Sequence, residues 1–161
     1  MTPVIQRDYI ERLIEQCAAF LSRILQLRRA GQMDAALRVV SDAADQLLGS
    51  MRPLLERLDA GTAVDVAGRF ERDRIRMYAA LLGEEGLIHR ERGDSVRAYL
   101  RARRSLEFYA AVSLAGARLA DADLERIAVL TTDLELDQLD ARYRNEIERL
   151  AKRDDSPRRP R

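Results

Sequence analysis

Three observations predict an all-α fold of six or seven helices arranged as antiparallel hairpins, with no strands. The first is composition: 34% of residues are charged and 5% aromatic, with Ala, Leu, Arg, Glu and Asp dominating, as in helices with ion-paired outer faces. The second is periodicity, since apolar residues recur at three- and four-residue steps along most of the chain. The third is the stretch 82–109, LGEEGLIHRERGDSVRAYLRARRSLEFY, which reads as two helices folded back across Gly93-Asp94. His89, Arg90 and Arg92 place positive charge at the negative end of the first helix dipole. Gly93 can take the left-handed conformation that closes a helix, and Asp94 can accept hydrogen bonds from the first free amides of the next.

Thr2-Pro3 is a helix entry, a capping hydroxyl followed by proline at the first helical position. The stripe Ile5, Tyr9, Leu13, Cys17, Phe20, Ile24, Leu27 follows, with a second line Ile10, Ile14, Leu21, Leu25 beside it. An apolar arc that wide implies several neighbouring helices, so this first helix is expected at the centre. It ends at Arg28-Arg29 and Gly31. The next helix, about 33–48, turns Ala36, Val40, Ala43, Ala44 and Leu47 toward its partner and stops at Gly49-Ser50. Residues 51–61 form a connector or one short helix begun by Pro53, and Gly61-Thr62 reads as a stop followed by a cap. A run from 63 to 92 carries Val66, Phe70, Met77, Leu81 and Ile88. Its interior glycines each cost about 1 kcal/mol relative to alanine, so a kink or break is expected near 68 or 83.

The helix after Gly93 presents Ala98, Ala102, Ser105, Tyr109 and Val112, a narrow stripe of mostly small residues that lets two axes approach closely. It ends near Gly116. Asp121 or Asp123 caps a short helix with Leu124, Ile127, Ala128 and Leu130, and Thr131-Thr132-Asp133 breaks the chain again. The final helix, about 134–152, bears Leu136, Leu139, Tyr143, Ile147 and Leu150. The chain therefore divides into one helical domain, 1–152, and a charged, disordered tail, RDDSPRRPR, 153–161.

The arrangement of Gly86, Gly93, Ala98 and Leu106 resembles the tetratricopeptide repeat (TPR), two short helices packed around small residues at fixed offsets. Leu82 stands where that repeat has a large aromatic, His89 stands at its first-helix tyrosine position, and no proline closes the unit. Residues 23–48 echo the hairpin: Gly31 precedes Ala36 by five residues, as Gly93 precedes Ala98. The opening IQRDYIERLIEQ, followed by LRRAGQMDAAL and a run to LLG, is similar to an uncharacterised bacterial family catalogued as domain of unknown function 6483, over about residues 1–110. That resemblance implies an all-helical, TPR-like fold and brings no catalytic residues.

Chemistry-bearing patterns are sparse. One histidine and one cysteine, His89 and Cys17, lie 72 residues apart, which is no metal-ligand spacing, and no cofactor or metal is expected. Cys17 sits on the apolar stripe and reads as a core residue, His89 as a surface or packing residue at a helix end. No glycine-rich phosphate loop follows a strand, and the adjacent acids Glu84-Glu85 and Asp154-Asp155 point in different directions on a helix. The chain is therefore expected not to be an enzyme.

Charge is segregated. Residues 69–104 hold ten arginines against six acids, a net +4, whereas 121–140 hold seven acids and one arginine, a net −6. Such segregation steers an anionic partner or pairs internally, within the chain or across a dimer. With an overall net charge of only +1, the internal reading is preferred and nucleic acid is not the expected partner. No apolar run is long enough to span a bilayer, and the charged N-terminus is unlike a secretory leader, so a cytoplasmic protein is expected.

These features lead to a non-catalytic, TPR-like protein-interaction or self-assembly module, its partner another protein or a second copy. Tyr78, Arg97, Tyr99, Arg101 and Arg104 are the candidate partner-binding residues. The alternative is a nucleic-acid- or nucleotide-associated accessory protein using the 69–104 arginine face, with affinity falling steeply with salt.

Overall fold

A computed structural model describes residues 3–132 and 134–154, and among these every regular element is helical. The α-helices are α1 (Pro3–Arg29), α2 (Met33–Leu48), α3 (Arg52–Arg57), α4 (Ala60–Ala67), α5 (Arg72–Glu91), α6 (Ser95–Leu114), α7 (Asp121–Thr131) and α8 (Ala141–Asp154). Short 3-10 turns occupy Gly49–Met51, Arg69–Glu71 and Leu136–Gln138. The Thr2 cap, Asp133 and the tail from 155 onward lie outside the described residues; α8 itself runs through Asp154, beyond the expected end at 152.

Two hairpins organise the chain, α1/α2 and α5/α6, and their turns are built alike. Gly31 and Gly93 have φ of +72° and +79°, the left-handed region in which a side chain is strained. Each glycine amide donates to the carbonyl three residues back, Arg28 and Arg90, both at 3.0 Å. The following amides, Gln32 and Asp94, donate to Leu27 and His89 carbonyls five residues back, both at 2.9 Å. Asp94 then caps α6, accepting from the Arg97 amide at 3.1 Å.

Most of the predicted stripes face inward. Leu13, Cys17, Ile24 and Leu27 of α1 and Ala36, Val40, Ala43, Ala44 and Leu47 of α2 are buried, as are Ala102, Ser105, Tyr109 and Val112 of α6, with Phe20 and Ala98 half-buried. Ile5 and Tyr9 on the first stripe, and Val66 and Phe70 of the 63–92 run, are instead exposed to solvent. Small residues set the α5–α6 distance: a Cβ on Gly86 would meet the Ala102 nitrogen at 3.0 Å and the Ala98 carbonyl oxygen at 3.3 Å. One step along the same contact, Ser105 Oγ donates to the Ala79 carbonyl at 2.6 Å.

Three expectations are corrected, and the break left between two glycines is placed at one of them. The central helix is α5, which packs against α1, α2, α4, α6 and α7 and is buried without interruption from Met77 to Gly83. On α1 the second apolar line has no helix fully covering it, and Ile14 and Leu25 remain 42% and 39% exposed. The cap before α4 is Asp59, whose carboxylate accepts from the amides of Gly61 and Thr62, so Gly61 lies inside a helix. The break expected near 68 or 83 falls at Gly68, whose φ is +88°, while Gly83 and Gly86 lie inside a continuous α5. Leu136 and Leu139 precede the last helix rather than belonging to it: α8 starts at Ala141, with Asp140 Oδ1 accepting from the Arg142 amide at 3.0 Å.

Candidate functional site

Between the two hairpins lies a groove of about 360 Å³, floored by α2 and α5 and flanked by α3 and α6. Val40 and Ala44 from α2 and Tyr78, Leu81 and Leu82 from α5 supply its apolar base, all of them buried. The alanine row of α2 allows α5 to come close, and α3 is drawn over the groove by one side chain. Arg52 donates to the Ser41 carbonyl at 3.0 Å and pairs with Asp45 at 2.7 Å and Glu56 at 2.9 Å. On the opposite rim Glu85 pairs with Arg101 at 3.1 Å and sits 3.7 Å from His89 Nε2. Arg97 is the most open of the rim residues, its side chain 70% exposed and 3.6 Å from Asp94.

Tyr78 is the singular member of this site. Its residue is 4% exposed and its ring packs against Phe108 with centroids 5.6 Å apart. Burial, reinforced by the nearby Glu56 carboxylate, pushes its phenol up to about 12, so the hydroxyl is neutral at physiological pH. Tyr78 lines both the groove and the recess that adjoins it.

The structure brings together three of the five partner-binding candidates and separates two. Tyr78, Arg97 and Arg101 line the groove. Arg104 reaches only the adjoining recess with Tyr78 and Arg101, and its guanidinium is committed: Nη2 donates to the Leu55 carbonyl at 2.6 Å and to that of Leu58, closing the C-terminal end of α3. Its guanidinium carbon also lies 4.4 Å over the Phe108 ring. Tyr99 faces away, onto a separate apolar recess of about 220 Å³ with Gly86, Ala98, Ala102, Leu130 and Leu134. Two residues of helical register, about 200°, separate Tyr99 from Arg97 and Arg101 and put it on the opposite side of α6.

Sequence reasoning missed a chain of buried ion pairs running from α1 through α5 to α7. Arg28 binds Glu84 at 2.8 Å, Glu84 binds Arg126 at 3.1 Å, and Arg76 binds Asp123 at 2.8 Å. Tyr109 joins the last two, donating to Asp123 Oδ1 at 3.0 Å and accepting from Arg126 Nη1 at 3.2 Å. Burial opposes the charge on Arg126, but Tyr109 and Glu84 outweigh it and the guanidinium is held firmly protonated. Burial likewise raises the Tyr109 phenol, and it pushes the Cys17 thiol up to about 11. Every partner is remote in sequence, so no local spacing announces the set. The Arg76–Asp123 pair also joins the basic 69–104 stretch to the acidic 121–140 stretch. Within the basic stretch Arg74, Arg92, Arg97, Arg101 and Arg103 each have an acidic neighbour as well.

Among the described residues no three His, Cys, Asp or Glu side chains are grouped to hold a metal ion, and no helix is long and apolar enough to cross a membrane. The fold and site define an all-α protein of packed helical hairpins with a solvent-open groove between them. No family model matches the chain, and neither a curated protein nor a solved structure matches it.

Proposed function

We propose that this chain is a non-catalytic, TPR-like protein-interaction module that holds a segment of another protein in the groove between α2, α5 and α6. The observation that carries this reading is the groove itself, whose apolar base of Val40, Ala44, Tyr78, Leu81 and Leu82 lies between rims that carry Arg52, Glu85, Arg97 and Arg101. An apolar base with a few placed polar groups is the usual make-up of a recognition site. The TPR-like description is supported by the close contact of Gly86 with Ala98 and Ala102, and by the matching turns at Gly31 and Gly93. The kinship with the domain of unknown function 6483 family is proposed on the same helix-and-turn features and adds no chemistry. Paired arginines along 69–104 favour this reading over nucleic-acid binding, and a cytoplasmic location fits it.

A random peptide library displayed against the full chain tests the proposal. Ser41 is exposed and lines the groove, so Ser41→Trp fills the space without disturbing the core. Selected peptides are expected to bind the natural chain and to lose at least about tenfold in affinity on Ser41→Trp. Peptides that bind both proteins equally, or a library that yields none, would overturn the reading.

A further inference from the structure

We infer that occupancy of this groove is proton-linked: the neutral imidazole of His89 lets an occupant stay, and a proton on that ring expels it. This rests on the groove being the docking site and goes further by naming what regulates it. His89 is the chain's one histidine, is 6% exposed and lines the groove beside Glu85. Imidazole is the side chain whose ordinary titration falls between about pH 5 and about pH 8. The Cys17 thiol and the Tyr78 phenol are both pushed above that range, to about 11 and about 12.

One carboxylate oxygen stands between two claimants. Glu85 Oε1 lies 3.1 Å from Arg101 Nε and 3.7 Å from His89 Nε2. While His89 is neutral, Arg101 holds that oxygen and ties the α6 rim to α5. An imidazolium buried this deeply needs an anion at hydrogen-bond distance, and the other acids described around the groove are taken. Asp45 and Glu56 pair with Arg52 at 2.7 Å and 2.9 Å, and Asp94 accepts from the Arg97 amide at 3.1 Å. Asp34 of α2 pairs with Arg92 at 2.9 Å, and on the α1 side Glu84 and Glu91 bind Arg28 at 2.8 Å and 2.5 Å. Protonation therefore turns Glu85 from Arg101 toward His89. Arg101, its side chain 44% exposed, is released into water. An uncharged occupant opposes both changes, because it strips water from the imidazole, which disfavours the charged form, and it pins Arg101 against Glu85. Occupant and proton thus exclude each other, and by reciprocity each weakens the other by the same factor. Affinity is full above the pH at which His89 of the free chain titrates and falls as pH drops through it.

The test uses the full chain and end-blocked fluorescent peptides from a library built of uncharged residues, so that only the protein titrates. Peptides that respond to Ser41→Trp are expected to bind at least about fivefold tighter at about pH 8 than at about pH 5.5. His89→Gln keeps a polar side chain and is expected to flatten that profile, with circular dichroism at both pH values that of the natural chain. Where His89→Gln does not fold, the imidazole resonances of the natural chain carry the test: the His89 titration, followed by nuclear magnetic resonance, is expected to move to lower pH when peptide saturates the groove. A flat profile in the natural chain, a His89→Gln profile as steep as the natural one, or a His89 titration indifferent to peptide would overturn the inference while the groove stands. If no peptide responds to Ser41→Trp, the docking site itself fails and the proton linkage with it.

Discussion

A Cβ placed on Gly86 would lie 3.0 Å from the backbone nitrogen of Ala102, tighter than nearly all side-chain contacts and against a helix backbone that must itself shift to relieve it. The α5–α6 hairpin therefore depends on a hydrogen atom at this position. Alanine at Gly86 gains about 1 kcal/mol of helix propensity but forces two axes apart, an overpacking that costs about 1–3 kcal/mol. Gly86→Ala is expected to lower the urea midpoint, and Gly86→Leu to lower it much further.

Gly83 provides the comparison. A Cβ there meets Arg126 Cδ at 2.9 Å, Leu130 Cδ1 at 3.1 Å and Ser105 Oγ at 3.1 Å, all of them side-chain atoms that can shift. Gly83→Ala is expected to destabilise less than Gly86→Ala in the same urea titration; the opposite order would show that the Ala98–Ala102 contact does not set the hairpin distance.

The buried chain of ion pairs makes its own prediction. Replacing Arg126 by leucine leaves Glu84 without one of its two guanidinium partners and Tyr109 without a donor, in surroundings where those side chains are 13% exposed or less. Breaking a buried pair on one side costs about 3–5 kcal/mol. Thermal unfolding should fall accordingly for Arg126→Leu, while Arg7→Leu, which removes an exposed pair with Glu11, should change stability by less than about 1 kcal/mol.

Acid sensitivity is expected from Glu146, which accepts from Arg149 Nε at 3.0 Å and from Ser113 Oγ at 2.6 Å. The hydrogen bond from Arg149 lowers its carboxyl most, burial works against this, and Ser113 lowers it further, leaving it below the usual glutamate range. A folded value below the unfolded value of about 4.3 means the stabilisation is fully present above the unfolded value and is lost as pH falls through the folded one. Glu146→Gln should therefore lower the urea midpoint near about pH 7 and make progressively less difference toward about pH 3. A gap that stays constant across that range would remove Glu146 from the acid limb.

Much of the fold was legible because its signals are local. Gly31 and Gly93 each need a left-handed backbone, and the alanine stripes sit at helical spacing within one segment. The misread elements depend on what lies across the fold. Gly68, Gly83 and Gly86 look alike in sequence, but only Gly68 adopts a positive φ, while the other two abut α6 and α7. The cap at Asp59 is fixed by Tyr143, whose hydroxyl meets its carboxylate at 2.9 Å from 84 residues away. Of the candidate site, helical register alone placed Arg97 and Arg101 together. It could not show that Arg104 would be captured by the Leu55 and Leu58 carbonyls, nor that Tyr99 would turn to the other side of α6.

Amide chemical-shift mapping of the full chain, titrated with a library-selected peptide, tests the docking groove most directly. The account predicts that the perturbed amides cluster at Ser41, Tyr78, Glu85, Arg97 and Arg101, the two walls and base of the groove. Perturbations confined to the exposed side of α1, around Ile14 and Leu25, would contradict it.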